Sequence, residues 1–349
     1  MRIAVDARMA GHTGVGRYLR ELVQVLAVHD LELTLFLNPF QDEAWIPPRV
    51  RIRHFPREVP VYSWKEWTAW KGLLTGFDLF HVPHFNAPWS CPVPMLVTIH
   101  DATYWRFPEA TGSWLGGQYA RFMLQRSVSQ ARRVIAVSAS TGKDVTDLLG
   151  ADPAKVDVIL SGSPEIPARK MGKGNYVLYV GNFLPHKRLD VLLRAMKALQ
   201  VQGRDLPLHL VGRLDARGQA LRQEAQALGI RTRFLGEVDD SGLYDAYTGA
   251  RLAVSPSPWE GFGFPAVEAL AQGVPVVAVD SGASPEVLGG AALYSKPGDA
   301  AGMAEAILRV WADEGLRATL LKAGRKRVGE LRWEETAHRT VEAYRKAVQ

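Results

Sequence analysis

Two glutamates eight residues apart give the first hint of chemistry: Glu260 and Glu268, in Glu260-Gly-Phe-Gly-Phe-Pro-Ala-Val-Glu268. An apolar run, Leu252–Pro256, precedes them and a helical pattern, Ala266–Ala271, follows, so the segment reads as strand, turn and helix. Pro265 suits a first helical turn, where a missing N–H costs nothing. Gly261 and Gly263 let the backbone come close to a ligand, with Phe262 and Phe264 alternating with them. The free N–H groups and positive dipole end of the helix then suit a diphosphate or sugar hydroxyls. Glu268, expected in the first helical turn, can accept both hydroxyls of a ribose. The plain alternative is that Glu268 complements the helix dipole and Glu260 is a solvated loop residue.

A second group starts where the apolar run Tyr176–Val180 ends, at Gly181-Asn-Phe-Leu-Pro-His-Lys-Arg188, before the helical pattern Leu189–Gln202. Lys187 and Arg188 stand just ahead of a helix N-terminus, a poor place for cations unless an anion lies between. A diphosphate would be that anion, with Lys187 and Arg188 neutralising it as it departs. Two exposed basic residues in a loop are the alternative. Gly11-His-Thr-Gly-Val-Gly-Arg-Tyr18, after the run Arg2–Val5, is a third: Gly14 and Gly16 fit a loop that touches phosphate or acceptor, though a glycine-rich turn alone is weak evidence. Thr98-Ile-His100-Asp101 closes another apolar run, where a lone histidine is more often a satisfied polar residue than a catalytic one. His81 and His84 flank Val-Pro, which prevents a helix from aligning them, and no third ligand follows, so they read as non-metal residues. In Tyr62–Leu74, Trp64, Trp67 and Trp70 trace one side of an expected helix beside Lys65 and Lys71. That mixture suits a membrane surface or a lipid-linked acceptor, with a core-facing helix as the plainer reading.

The elements that must hold these groups alternate short apolar runs with helical stretches, which predicts α/β architecture with parallel sheets. Expected strands in the first half are Arg2–Val5, Leu33–Phe36, Leu79–His81, Met95–Ile99, Arg133–Val137 and Val156–Ile159, with helices Gly16–Leu26, Gln118–Gln130 and Ser140–Leu149. The alternation restarts with strands Tyr176–Val180, Leu208–Val211, Arg233–Leu235, Leu252–Pro256 and Val276–Val279. Its helices are Leu189–Gln202, Gln219–Ala227, Ser241–Tyr247, Ala266–Ala271 and Ala300–Trp311. Between the halves, 161–174 is rich in Gly, Pro, Ser and charge and reads as a linker. Two doubly wound domains result, 1–165 and 166–332, with a cleft expected between them and ligands beyond the strands' carboxyl ends. Residues 333–349 form an expected last helix, packing back on the first domain through Trp333, Ala337, Val341, Tyr344 and Val348.

The Glu260–Glu268 block continues as Ala269-Leu-Ala-Gln-Gly-Val-Pro-Val-Val-Ala-Val-Asp280 and Gly282-Ala-Ser-Pro-Glu286, and closely resembles the EX7E region of family-four glycosyltransferases. Val134-Ile-Ala-Val-Ser138, Phe234-Leu-Gly236 and Leu243-Tyr-Asp-Ala-Tyr247 extend the resemblance over nearly the whole chain. It implies a GT-B fold of two Rossmann-like domains, a nucleotide-diphosphate sugar donor and retention at the anomeric carbon. It also implies that Glu260, His100 and Lys187 act at the reacting sugar. Glu268, Arg188, Gly14, Gly16, Gly181 and Gly261–Phe264 would bind the donor. The family places an arginine directly after the glycine of the second loop. Asn182 stands there in this chain, so Arg188 or Arg213 takes that role. No Asp-x-Asp triplet occurs, so neither a metal nor another cofactor is expected and positive charge must do the clamping. GDP-mannose is the favoured donor, with a UDP-sugar as the alternative, and the acceptor is a glycan or a lipid-linked sugar. Rival activities on the same scaffold are a nucleotide-sugar 2-epimerase and a non-catalytic nucleotide- or glycan-binding protein.

The composition agrees with a globular enzyme: 349 residues, 47% hydrophobic and 22% charged, enough for two cores. A formal charge of +6, spread along the chain, suits a nucleotide partner and not a dedicated nucleic-acid arm. A single cysteine, Cys91, excludes an internal disulfide and reads as a small buried hydrophobe. No run of about 18 apolar residues is present, and the start, Met1-Arg-Ile-Ala-Val-Asp6, is no secretory signal. A cytoplasmic protein is expected, with peripheral contact to the inner face of the membrane through 62–74.

Overall fold

The computed structural model describes residues 1–12, 14–107, 113–164 and 174–349, so most of the expected linker lies outside the described residues. The chain divides into two compact units, Met1–Gly162 with Arg332–Gln349, and Ser163–Leu331. Each is a parallel sheet with helices on its faces.

The first unit contains seven strands: β1 (Arg2–Asp6), β2 (Glu32–Leu37), β3 (Arg51–His54), β4 (Leu79–Val82), β5 (Met95–Ile99), β6 (Arg133–Ala136) and β7 (Val156–Val158). Their order is β3-β2-β1-β4-β5-β6-β7, all pairs parallel. The central strands are buried on both faces, as in Met95-Leu-Val-Thr-Ile99, which explains their nearly continuous apolar runs. The edge strand β3, Arg-Ile-Arg-His, is largely exposed and charged, so no apolar pattern marks it. The helix Gly14–Leu26 buries Tyr18, Leu19, Leu22, Val23 and Leu26, a single stripe facing the sheet.

The second unit contains β8 (Val177–Val180), β9 (Leu208–Val211), β10 (Thr232–Gly236), β11 (Leu252–Ser255), β12 (Val276–Val279) and β13 (Ala292–Ser295), in the order β10-β9-β8-β11-β12-β13. Its core packs Leu192, Met196, Leu210, Val254, Val277 and Ile307. Carboxylates cap its helices: Asp215 accepts from the amides of Arg217 and Gly218, Asp239 from Gly242, Asp299 from Gly302 and Asp313 from Leu316. The last of these opens a helix over Glu314–Glu330, which the sequence pattern does not reveal because its apolar stripe is thin; Leu320 and Gly324 alone are buried.

Two expectations need correcting. Residues 62–74 form no helix of several turns. One turn, Glu66–Ala69, is helical, Trp70 is buried against Phe36, Phe55 and Phe80, and Trp64 is exposed. Gly72 and Gly76, both at positive φ, break the pattern on its C-terminal side, and Tyr62, with φ 68°, does so on the other. At the proposed linker, Ser161–Pro164 are buried, and the Ser163 amide donates to the Leu331 carbonyl, so the linker's first residues are not free coil.

The terminal helix Trp333–Val348 is part of the first unit. It buries Trp333, Ala337, Val341 and Tyr344, with Ala347 in place of the expected Val348. The Tyr344 hydroxyl lies 2.7 Å from His81 Nδ1, and the other side of that ring, Nε2, is 2.9 Å from Thr98 Oγ1. His81 is thus held by two hydroxyls, and burial pushes its pKa down to about 3.

Candidate functional site

In the second unit the chain runs outward from β8 through β9 to β10, then returns to β11 on the other side of β8 and continues to β13. The switch point of the sheet therefore lies between β8 and β11, where ligands of such folds bind beyond the strand ends. The loops that leave those two strands carry Lys187 and Glu260, and the structure brings the two side chains together. Lys187 Nζ lies 2.8 Å from both oxygens of Glu260, and each side chain is about five-sixths buried.

Local structure explains this meeting. After β8, Gly181 lies at φ 150°, where a Cβ would fall 2.8 Å from the Tyr179 hydroxyl. That hydroxyl donates to the Asn182 carbonyl at 2.7 Å and fixes the loop's first bend. Burial, with the charge of Glu260 nearby, pushes the Tyr179 phenol well above its usual range, so it stays a donor. Gly212, at the end of β9, lets the loop sit close: a Cβ there would meet the Gly181 carbonyl at 2.1 Å. A single 3₁₀ turn, Pro185–Lys187, then presents Lys187, and Arg188, left-handed at φ 51°, starts the helix Leu189–Val201. Arg188 pairs with Asp190 in that helix's first turn at 2.9 and 3.1 Å. Two anions beside this basic loop are therefore the chain's own, Asp190 and Glu260.

After β11, the buried Ser257 accepts from the Trp259 amide and holds the bend before Glu260. Gly263, at φ 83°, is the left-handed residue that starts the helix Phe264–Ala271, with Pro265 in its first turn. Since the helix begins at Phe264, Glu268 opens the second turn and not the first. It is 5% exposed. The Tyr247 hydroxyl reaches it from the neighbouring helix Asp240–Thr248, 2.8 Å from Glu268 Oε2 and 3.0 Å from the Pro265 carbonyl. Phe262 and Phe264 pack with ring centroids 4.9 Å apart. Arg213 is exposed and pairs with Glu237 at 3.2 Å.

In the first unit the switch point falls between β1 and β4. It carries a buried ionic network. Arg8 donates to Asp6 at 2.9 and 2.6 Å and to Glu66 at 2.8 Å, and His84 Nε2 lies 3.1 Å from Asp6. The Asn86 amide donates to His84 Nδ1, so the proton of this imidazole sits on Nε2 and points to Asp6. Burial alone would raise the Asp6 carboxyl, but the Arg8 guanidinium, with His84, holds it far below the usual range. Sequence spacing could not reveal this group, because Glu66 joins it from 58 residues away. Of the expected residues, Gly14 has open space around its Cα, whereas a Cβ on Gly16 would strike the Ala10 and Met9 carbonyls. Gly16 is thus a close-packing residue. His100 is edge-on to Tyr18, and its Nε2 donates to the Pro83 carbonyl at 2.9 Å. Burial lowers its pKa, so at neutral pH Nδ1 carries a lone pair and can accept.

Tyr179, Ser257 and Tyr247 are the supporting residues that sequence reasoning missed. Tyr247 had a signal, since it ends one of the segments that carried the resemblance, but its target, Glu268, is reached only in three dimensions.

Residues 166–327 match the family model described as glycosyl transferases group 1, and residues 12–163 match that of glycosyltransferase family 4. The O-antigen chain mannosyltransferase B of Escherichia coli is 28% identical over 95% of this chain and 96% of its own length. The phosphatidyl-myo-inositol mannosyltransferase of Mycobacterium leprae is 31% identical over 77% of this chain and 73% of its own. Among solved structures, the sucrose-phosphate synthase of Thermosynechococcus elongatus superposes with a TM-score of 0.79 at 24% identity, covering 99% of this chain and 98% of that one.

Proposed function

The chain belongs to glycosyltransferase family 4 and has its GT-B fold, and on that premise we propose that it moves a hexose from GDP-mannose, with retention at the anomeric carbon, to a glycan or lipid-linked acceptor. The observation that carries this reading is the Lys187–Glu260 pair at the switch point of the second unit, beside the N-terminus of the helix that bears Glu268. The mannosyltransferase names of two relatives support mannose as the sugar.

In this reading the diphosphate lies against Lys187 and the helix start at Phe264, and Glu268, steadied by Tyr247, accepts the ribose hydroxyls. Arg188 and Arg213 are secondary contacts to the phosphates. The bond from the anomeric carbon to the diphosphate oxygen breaks first, and the nucleoside diphosphate departs with the electron pair. Lys187 and the helix dipole offset that charge, which leaves no step that requires a metal ion. Glu260 faces the oxocarbenium-like carbon. The acceptor oxygen bonds to the same face, and its proton passes to a phosphate oxygen. The first unit's own proposed substrate contacts are His100, through its accepting Nδ1, and Gly14, the first residue of the helix Gly14–Leu26.

The test has two readouts. Thermal-shift screening against a panel of nucleotide sugars should single out GDP-mannose, because a ligand of the native state raises stability by mass action. Proton NMR of the product should show the donor's anomeric configuration, and an inverted product would refute the mechanism.

A further inference from the structure

Surface-exposed aromatic side chains gather on one part of the first unit. Trp64, Trp114 and Leu115 are 72–74% exposed, and Phe122 and Trp89 about half exposed. One helix face and a row of ring contacts connect them. The helix Trp114–Gln130 shows Trp114, Leu115, Gln118, Phe122 and Gln125 on its outer face. Phe122 stacks on Trp89 with centroids 6.4 Å apart, Trp89 meets Trp67 at 4.9 Å, and Trp64 stands one turn before Trp67. The Arg126 guanidinium lies 4.1 Å over the Trp89 ring and hydrogen-bonds its carbonyl. Trp70, from the same run as Trp64 and Trp67, is in the core and takes no part.

We propose that this surface, built from Trp64, Trp89, Trp114, Leu115 and Phe122, seats the protein on an anionic phospholipid bilayer. Patches of this kind on a lone soluble surface mark an interaction site, and two observations choose the bilayer. The first is the residue types: tryptophan and phenylalanine with an arginine stacked among them, an apolar body with a polar edge, which is the composition favoured at the headgroup level. The second is charge. The segments that build the surface (59–75, 85–95 and 113–132) carry Lys65, Lys71, Arg121, Arg126 and Arg132, of which Lys65, Lys71 and Arg132 are exposed. Their one acidic residue, Glu66, is buried and bound to Arg8. Aromatic anchors with one-signed positive charge complement an anionic headgroup layer. Among the described residues no helix is long and apolar enough to cross a membrane, so such contact would lie in the interface plane. The surface is built from the first unit, whereas Lys187, Glu260 and Glu268 belong to the second, so its test does not depend on the donor chemistry.

The experiment is sedimentation of the full chain with large unilamellar vesicles of phosphatidylcholine alone or with one-third phosphatidylglycerol, at low and high salt. Binding should require the anionic lipid, weaken with salt and blue-shift tryptophan emission. Trp114→Ala/Leu115→Ala/Phe122→Ala should lose at least tenfold in vesicle affinity. Lys65→Gln/Lys71→Gln/Arg132→Gln, all at exposed positions, should lose about fivefold per charge. Both variants should keep the wild-type melting temperature and donor hydrolysis without vesicles. Equal binding by wild type and both variants, or no binding to anionic vesicles at low salt, overturns the proposal. So does a concentration-dependent dimer in light scattering that the aromatic variant dissolves, since the face would then be a contact between copies.

Discussion

Glu260→Gln should tighten the binding of nucleoside diphosphate while slowing transfer. Lys187 is held by both Glu260 oxygens at 2.8 Å, in a position about five-sixths buried. A diphosphate that uses Lys187 must share it with this carboxylate. Two unit charges at about 4 Å interact by roughly 1 kcal/mol in water and roughly 4 kcal/mol at the effective permittivity of a protein surface. The site lies between those limits, so a neutral amide at 260 releases about 1–3 kcal/mol toward the incoming anion. That corresponds to an affinity gain of about 5- to 150-fold. The amide still accepts a hydrogen bond from Lys187, which keeps the loop in place. Transfer should nonetheless fall by about two orders of magnitude or more, the usual loss when charge stabilisation aimed at a transition state is removed. Isothermal titration of GDP into wild type, Glu260→Gln, Lys187→Met and the double variant measures each arm. Lys187→Met should weaken GDP at least tenfold, and the double variant should follow it, because the glutamine acts only through the lysine. Unchanged or weaker GDP binding in Glu260→Gln, or wild-type binding in Lys187→Met, refutes this account of the pair.

Three further outcomes follow from close-packed groups. Arg8→Met leaves Asp6 and Glu66 buried without their cation and should cost about 3–5 kcal/mol, a fall of roughly 6–20 °C in the melting of the first unit by calorimetry. His81, with a folded pKa of about 3 against an ordinary 6.5, binds its proton more readily when unfolded. Its contribution to stability is whole above pH 6.5 and is lost as pH falls below it. Chemical denaturation should therefore show a decline of up to about 2 kcal/mol between pH 6.5 and 5, and a His81→Gln variant should lack that slope. Gly212→Ala pushes a Cβ onto the Gly181 carbonyl. It should weaken GDP at least tenfold by fluorescence titration, with the first unit's melting unchanged.

The parts of the fold legible in the sequence were those in which one local pattern serves one element. Val276–Val279 is apolar throughout, and Met95–Ile99 is so except for Thr98, because both their faces are covered. The edge strand Arg51–His54 and the helix Glu314–Glu330 escaped because exposed elements keep little apolar periodicity. The three tryptophans of 62–74 misled for the opposite reason. Their spacing of three is helical, but Gly72, Gly76 and the left-handed Tyr62 bend the backbone, so that one ring enters the core and another meets solvent. At the site, residue types and local motif picked out Lys187, Glu260 and Glu268. What spacing could not show was that Lys187 and Glu260, 73 residues apart, are each other's partners. Nor could it show that Tyr247 and Tyr179 hold the frame.

The terminal helix has a consequence for how the chain is made. It carries Tyr344 to His81, Thr336 to the Leu160 carbonyl and Lys346 to Asp157, so part of the covering of the seven-stranded sheet comes only after residue 332. During synthesis Ser163–Leu331 are all in hand before that helix emerges. The second unit can therefore close first, while the N-terminal one waits roughly 10–40 s after its residue 162 at ordinary elongation rates. In that interval the sheet surface that Trp333 and Tyr344 will cover is open to chaperones and to other nascent chains. The first unit is thus completed by sixteen residues that follow the whole of the second unit in the chain.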